Sequence, residues 1–298
     1  ISDPQSPVYS LGGVDLIFNT ALWSSEKGEG DTAAYDLGGF GFSVAGEVDT
    51  GIGAFGLAAN WFWNEYDQGT DLTNVQSDTY ELAAYWRGQW GGFNAYARGS
   101  AGIVNFNGRR TFLGAVGNER VEKTSDSEWD GTLVTFGSGI SYEGRAGGFF
   151  FRPAVSVDYV RLKEDGYTDN GGGEALDLTV EDRKSDEFAA NGGLTLGFDV
   201  LGRGGGNLMG TGRQNRWFRV ETEGGWREVI NGSLGSTIAH FEGGEEFTLE
   251  PEQNKSGWYA RLRAMGGGEL FEVGGEAGAE ERHGETAFTL RGTMRIGF

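Results

Sequence analysis

The 298-residue sequence predicts an all-β fold, a transmembrane antiparallel β-barrel of about twelve strands with both termini periplasmic. Three observations predict it. The last segment puts an apolar or small residue at every second position, Phe288, Leu290, Gly292, Met294, Ile296 and Phe298, with Thr289, Arg291, Thr293, Arg295 and Gly297 between them. Successive strand residues point to opposite faces, so this segment has one apolar face and one polar, cationic face. Segments of the same kind recur along the chain, separated by connections that are alternately long and short, as the outer loops and inner turns of a barrel are. The composition agrees: hydrophobic residues are only 38%, Gly reaches 55 residues and aromatics 13%. A barrel hides its hydrophobicity in alternation and is polar on average, whereas a spanning helix needs roughly 20 consecutive apolar residues.

Taken in order, the segments begin near Val14, Leu37, Phe55, Thr79, Phe93, Leu133, Phe150, Asp186, Phe218, Trp258, Phe271 and Phe288. Most run about ten residues or more, enough to cross a bilayer obliquely. Long polar connections follow the odd-numbered segments: Ser24 to Asp36, Asn64 to Asp78, Asn107 to Asp130, Lys163 to Ser185 and Asn231 to Ser256, with a shorter one around His283. Tight connections follow the even-numbered ones: Asp49 to Gly53, Gly91 to Gly92, Gly144 to Gly148 and Gly266 to Glu269. One long connection on the short side, Gly202 to Arg216, carries Arg203, Gly204, Gly205, Gly206 and Asn207. It resembles a phosphate-cradling loop only superficially, because the following Lys and the strand-to-helix context are missing. Ahead of the barrel, residues 1–10 form a short lead-in in which Pro4 and Pro7 disfavour a helix. The chain begins with Ile1 rather than Met, which reads as a processed chain or a fragment.

Alternation also assigns faces. Outward sets are Phe40, Phe42, Val44 and Val48; Leu57, Ala59, Trp61 and Trp63; Tyr80, Leu82, Ala84 and Trp86; Phe188, Ala190, Leu194, Leu196 and Phe198. The lumen-lining set is Glu47, Glu81, Arg87, Arg98, Arg152, Arg219, Glu221, Glu223, Arg261, Arg263, Glu272, Glu276, Arg291 and Arg295, joined by Asn60, Tyr85, Tyr96, Asp158, Asn191 and Arg227. Arg on the tenth and twelfth strands flanks Glu on the eleventh, and cross-strand pairing of this kind offsets the cost of lining a lumen with charge. Such a ladder either stabilises the wall, the reading favoured here, or sets ion selectivity or guides a polypeptide. Trp23, Trp61, Trp63, Trp90, Tyr159, Trp226, Trp258 and Phe298 lie near strand ends, as girdles at the two lipid interfaces do.

Charge and residue usage exclude other functions. A net charge of −20 argues against nucleic acid, which is bound through clustered Lys and Arg. Without Cys, and with only His240 and His283, disulfide scaffolds, thiol catalysis and zinc sites are disfavoured, and no metal or cofactor is expected. The carboxylate pairs Glu221 with Glu223 and Glu245 with Glu246 have no nucleophile beside them, so an enzyme is not expected.

Several segments together resemble the C-terminal translocator domain of type V autotransporters, particularly those of alphaproteobacteria. They are FRPAVSVDYVRL from Phe151 to Leu162, the stretch from Lys163 to Gly197, the early GGFGFSVAGEVD and GLAANWFW between Tyr35 and Trp63, and the final strand ending on Phe298. The resemblance covers almost the whole chain. It implies a twelve-stranded outer-membrane barrel that anchors and helps export an N-terminal passenger, with Phe288, Leu290, Met294, Ile296 and Phe298 as the C-terminal insertion signal. It implies contacts with outer-membrane lipid and lipopolysaccharide, with the barrel-assembly machinery, and with the chain's own passenger or another surface protein. The family's helical linker before the first strand has no counterpart in Ile1 to Tyr9. A passive pore, or a structural subunit of a larger surface assembly, therefore stands as the alternative function. The acids Glu164, Asp165, Asp169, Glu174, Asp177, Glu242, Glu245, Glu246, Glu250 and Glu252 crowd the long loops. They read as a solvated surface, with divalent-cation bridging to lipopolysaccharide as the sharper expectation.

Overall fold

In a computed structural model the chain is described over residues 13–28, 34–69, 72–116, 118–173, 175–201, 216–251, 256–268, 271–282 and 284–298. The N-terminal lead-in, nearly all of the Gly202–Arg216 connection, His283, Glu174 and Glu252 lie outside these residues. Twelve long strands form the barrel wall among the described residues: β1 (Val14–Lys27), β2 (Tyr35–Thr50), β3 (Gly53–Gln68), β4 (Thr73–Trp90), β5 (Phe93–Val116), β6 (Glu119–Tyr142), β7 (Phe149–Glu164), β8 (Arg183–Leu201), β9 (Trp217–Ser233), β10 (Gly257–Gly267), β11 (Phe271–Arg282) and β12 (Glu285–Gly297). Each pairs antiparallel with its chain neighbours, and β12 pairs with β1 from Asp15↔Gly297 to Ser25↔Ala287, which closes the ring. Closure leaves the wall without an exposed edge.

The first and last strands meet at the end that also carries the tight turns, since Val14 lies opposite Val48 and Asp15 opposite both Glu47 and Gly297. Between β4 and β5 the turn is Gly91-Gly92, and Gly91 takes a φ of 60°, a left-handed conformation that suits Gly.

At the opposite end the strands run further than the polarity of the sequence suggested. Asn107–Asp130, read as a loop, is mostly a two-stranded extension of β5 and β6 to Val116 and Glu119. Its polar residues pair across the ribbon, Arg109 with Asp126 and Thr111 with Thr124. Polarity here marks residues that lie beyond the bilayer, and it is compatible with a paired ribbon as well as with irregular structure. Likewise β3 and β4 continue to Gln68 and from Thr73, leaving a short turn in place of the expected Asn64–Asp78 loop. The Lys163–Ser185 and Asn231–Ser256 connections build a second, four-stranded sheet from Phe247–Leu249, Thr237–Phe241, Leu178–Val180 and Tyr167–Thr168, in that order.

Exposure follows the alternation. Leu57 and Leu82 are more than 70% exposed on the outer face, whereas Arg152 and Glu47 on the inner face are 0% and 1% exposed. This inverts the soluble arrangement, and an apolar outer face on a closed barrel matches lipid. Inside, large aromatics lie flat over glycines of the adjacent strands. Added Cβ atoms would collide with Tyr85 at Gly56, with Phe150 at Gly197, and with Tyr259 at Gly193 and Gly225. Much of the glycine on the inner face is thus space for neighbouring rings.

One aromatic assignment is corrected. Trp23 belongs to the inner face, because its parity is that of Asp15, Ile17 and Asn19; its ring covers Gly39, and its indole donates to Asn64 Oδ1 at 3.0 Å. Residue type suggests a girdle for Trp23, but strand parity decides its face. The other outer-face aromatics include a Phe40, Trp61 and Trp63 cluster, with Trp61 donating to Asp78 at 2.9 Å, and a Trp86–Trp90 pair at the tight-turn end. An indole with one side in lipid and its N–H on a carboxylate marks an interface position.

Candidate functional site

The candidate site is the inner wall, where the fourteen residues read as lumen-lining all lie on one parity of their strands. Most of them join ion-paired groups that follow one another around the circumference. The first group ties β12, β1, β2 and β4. Arg87 Nη2 donates to Glu47 Oε1 at 2.5 Å, Arg295 Nη2 donates to the same oxygen at 2.7 Å, and Arg295 Nε donates to Asp15 Oδ2 at 3.0 Å.

A second group ties β7, β8 and β9. Arg152 Nη2 donates to Glu221 Oε2 at 2.9 Å and its Nη1 to Glu143 Oε2 at 3.3 Å. Arg219 Nε donates to Asp199 Oδ1 at 2.7 Å, and its guanidinium sits 4.2 Å from the Phe150 ring centroid. Arg145 reaches Asp199 at 2.6 Å and Glu143 at 2.5 Å.

The third group contains the ladder anticipated from sequence. Registers Arg263↔Glu276, Glu276↔Arg291 and Glu272↔Arg295 put Glu of β11 between Arg of β10 and β12. Arg263 Nε donates to Glu276 Oε2 at 2.5 Å, its Nη2 donates to Glu223 Oε2 at 2.5 Å, Arg291 Nη1 donates to Glu276 Oε1 at 3.2 Å, and Arg261 lies 3.5 Å from Glu223. Arg263 also lies 3.6 Å from Glu221, which links this group to the second. On the far side Glu81 accepts from Asn60 at 2.6 Å, and Arg98 donates to Asp158 at 3.2 Å.

Physical reasons favour this closeness of opposite charges. A carboxylate or guanidinium held away from bulk water costs several kcal/mol unless it is paired and hydrogen-bonded. Arg meets that demand well because its fork donates to two carboxylates at once. Asp15, Glu143, Arg145 and Asp199 take part although none was singled out from sequence. All four are detectable by continuing strand parity: Asp15 and Asp199 at the ends of β1 and β8, and Glu143 and Arg145 past β6, where the pairing with β7 keeps its register through Arg145↔Phe150.

Beside these groups lies a cavity of about 720 Å³, lined among others by Arg98, Arg291, Glu276, Thr289 and Phe62. Arg98 and Arg291 keep 37% and 46% of their side chains exposed towards it, so the space is polar and cationic on part of its wall. The carboxylate pair Glu221 and Glu223 is committed to Arg152, Arg219, Arg261 and Arg263. Among the described residues no cluster of three or more His, Cys, Asp or Glu is placed to hold a metal ion.

The loop acids divide. Glu164 accepts from Arg183 at 2.7 Å, Asp169 from Arg110 at 2.6 Å, and Asp177 from Ser125 Oγ and the Gly172 amide. Asp169 and Asp177 fasten the loop to the β5–β6 extension and Glu164 ties the ends of β7 and β8, so these three do not form the open acidic surface expected of them. Asp165, Glu242, Glu245, Glu246 and Glu250 remain exposed. Tyr167 stacks on Trp129 with centroids 4.3 Å apart, and Trp129 stacks in turn on Phe106 at 5.0 Å. Trp129 and Phe106 are on inner-face parity, so the Lys163–Ser185 connection folds over the inner side of the β5–β6 extension.

The chain matches the family described as "Autotransporter beta-domain" over residues 19–270. It belongs to the autotransporter β-domain family. The fold of this autotransporter barrel is similar to the translocator domain of autotransporter NalP from Neisseria meningitidis, with a TM-score of 0.72 at 15% identity over 96% of this chain and 88% of that one. It is also similar to the β domain of the Bordetella autotransporter BrkA, with a TM-score of 0.61 at 11% identity over 96% and 100%. The transport unit of the autotransporter AIDA-I from Escherichia coli gives a TM-score of 0.59 at 12% identity over 95% and 90%. No match to a curated protein sequence was found. The family and the lipid-facing wall together make this an outer-membrane autotransporter β-barrel of bacterial origin.

Proposed function

We propose that this barrel anchors an N-terminal passenger at the cell surface and helps it cross the outer membrane, with the termini and tight turns in the periplasm and the long loops outside. The family match over residues 19–270 carries the reading. The ion-paired inner wall supports it, because a polypeptide passing a paired wall meets few bare charges. The role is one of transport and anchoring rather than catalysis. Phe288, Leu290, Met294, Ile296 and Phe298 serve as the insertion signal for the assembly machinery; Phe288, Leu290 and Phe298 are each more than half exposed on the outer face. The resemblance of the Phe151–Leu162 and Lys163–Gly197 segments supports reading the domain as the alphaproteobacterial type.

The test places a signal peptide and an epitope-tagged passenger ahead of Ile1 and measures protease accessibility of the tag on intact cells. Surface-exposed tag is expected, together with a strong loss of assembled barrel in Phe298→Ala. A folded barrel whose tag stays protected in the periplasm would overturn the reading. A passive pore is the second reading, favoured by the cavity of about 720 Å³, and steady conductance by that same barrel in a planar bilayer would then support it.

A further inference from the structure

We propose that the outer face where β7 and β8 leave the bilayer binds the phosphate of an acylated lipid headgroup, through Lys163 and Lys184 with Arg161 beside them. With the long loops outside, as the proposed orientation has it, that lipid is the phosphorylated glycolipid of the outer leaflet.

The level of the site follows from the strand. Outward residues of β7 run through Phe149, Phe151, Pro153, Val155, Val157 and Tyr159, and the next two are Arg161 and Lys163. Ten steps at about 3.4 Å make about 34 Å along the strand, or about 26 Å of height at a tilt of about 40°. The apolar band of an outer-membrane barrel is about 25 Å tall, so Arg161 and Lys163 stand just past its rim. Below them is an apolar wall, Val155 and Phe151 of β7, Val134 and Phe136 of β6 and Leu194 of β8, all well exposed, which suits acyl chains.

The register sharpens the chemistry. Lys163 lies directly opposite Lys184, and Arg161 lies opposite Asp186 and Val134. Like charges facing each other across a pair of strands are destabilising, and an anion between them removes the penalty. Lys184 and Arg161 make no ion pair among the described residues, and Lys163 has only the exposed Asp165 at 3.7 Å. The acids within reach are Asp165, Asp186 and Asp182, the last exposed on the same parity two residues from Lys184, with Asp130 one step further out, where its carbonyl accepts from the Asp165 amide. In a chain of net charge −20, two lysines meeting at the lipid rim form a local exception. Glu164 and Arg183 alternate with them but point inward and are bonded to each other, so the cations on the outer face are left for a ligand. Basic clusters at a membrane surface recognise anionic headgroups in this way.

The test uses the full chain in detergent. Native mass spectrometry and thermal unfolding are recorded with bisphosphorylated lipid A, with dephosphorylated lipid A, with phosphatidylglycerol and with inorganic phosphate. Lipid A is expected to be retained and to raise the unfolding temperature, the dephosphorylated form to be lost, and inorganic phosphate to do nothing. Lys163→Gln with Lys184→Gln should weaken lipid A by about thirtyfold, from the usual contribution of each Lys near an anionic surface. The control R120Q/K123Q removes the same charge from exposed positions at the tip of the β5–β6 extension and should bind as the parent does. Equal retention of lipid A by parent and K163Q/K184Q, or an equal response to inorganic phosphate, would overturn the assignment. Retention of phosphatidylglycerol in place of lipid A would refute the glycolipid as the ligand. Failure of passenger export leaves this detergent measurement untouched, so the two readings fail separately.

Discussion

Arg152 offers the sharpest test of the ion-paired wall. Its side chain is wholly buried and its guanidinium holds Glu221 at 2.9 Å and Glu143 at 3.3 Å. Replacing it with Met keeps the volume and leaves two carboxylates short of a counter-charge. Removing one member of a buried pair costs about 3–5 kcal/mol. Here Glu221 retains Arg219 at 3.4 Å and Arg263 at 3.6 Å, and Glu143 retains Arg145 at 2.5 Å, so the lower figure of about 3 kcal/mol applies. By contrast, Arg109→Met breaks a pair with Asp126 in which both side chains are about two-thirds exposed, and should cost no more than about 0.5 kcal/mol. The assay is reversible urea unfolding of the barrel in lipid vesicles, run as a double-mutant cycle with Glu221→Met. Coupling of at least about 1.5 kcal/mol is expected between Arg152 and Glu221. A loss below about 1 kcal/mol for Arg152→Met, or additive losses in the cycle, would show that water in the lumen screens the network and that the wall is not held by these pairs.

Leu57→Arg puts a charge on the lipid face, where the parent side chain is 71% exposed, and should cost about 2–4 kcal/mol in the same vesicles; a change within about 0.5 kcal/mol would contradict the outward assignment. Arg110→Ala removes the cation that holds Asp169 and the Leu176 carbonyl, so protease cleavage within residues 163–183 should rise while the heat resistance of the barrel stays unchanged. An unaltered cleavage pattern would show that the stacked rings alone fasten the loop. Burial first, and then the Asp169 carboxylate, push the Tyr167 phenol above its ordinary 10.0. The raised value means that the packed loop favours the neutral phenol: this stabilisation is complete below about pH 10 and is lost as pH rises through the folded value. The absorbance of tyrosinate in the parent minus that in Tyr167→Phe should therefore titrate above pH 10, and titration at or below it would refute the packing of Tyr167 on Trp129.

The wall was legible because a barrel uses the same two-residue period as any strand, and parity alone separated Leu57 from Asn60 and Phe288 from Arg291. The ladder on β10, β11 and β12 was legible for the same reason, since neighbouring hairpins of short turn fix the register. What parity cannot supply is a partner across strands. Tyr85 over Gly56 and Phe150 over Gly197 depend on register, so the glycine content could be counted but not explained. Trp23 and Trp61 have the same residue type near the same end of the barrel, yet one lines the lumen and the other faces lipid. The second sheet was missed because Leu178–Val180 and Phe247–Leu249 are too short to show a period, and their pairing through Thr237–Phe241 joins segments far apart in the chain.

The seam between β1 and β12 has a consequence for how the molecule is made. Arg295, three residues from the end, bonds Asp15 and Glu47 near the beginning, so the first strands wait for the last to satisfy their charges. Those partners leave the ribosome 280 and 248 residues apart. Until the final strand arrives, the growing sheet has two open edges and carboxylates lacking their cation, both of which invite pairing with the wrong neighbour. The closing strand is thus also the quality check: a chain cut short by a dozen residues has most of its wall and no way to become a barrel.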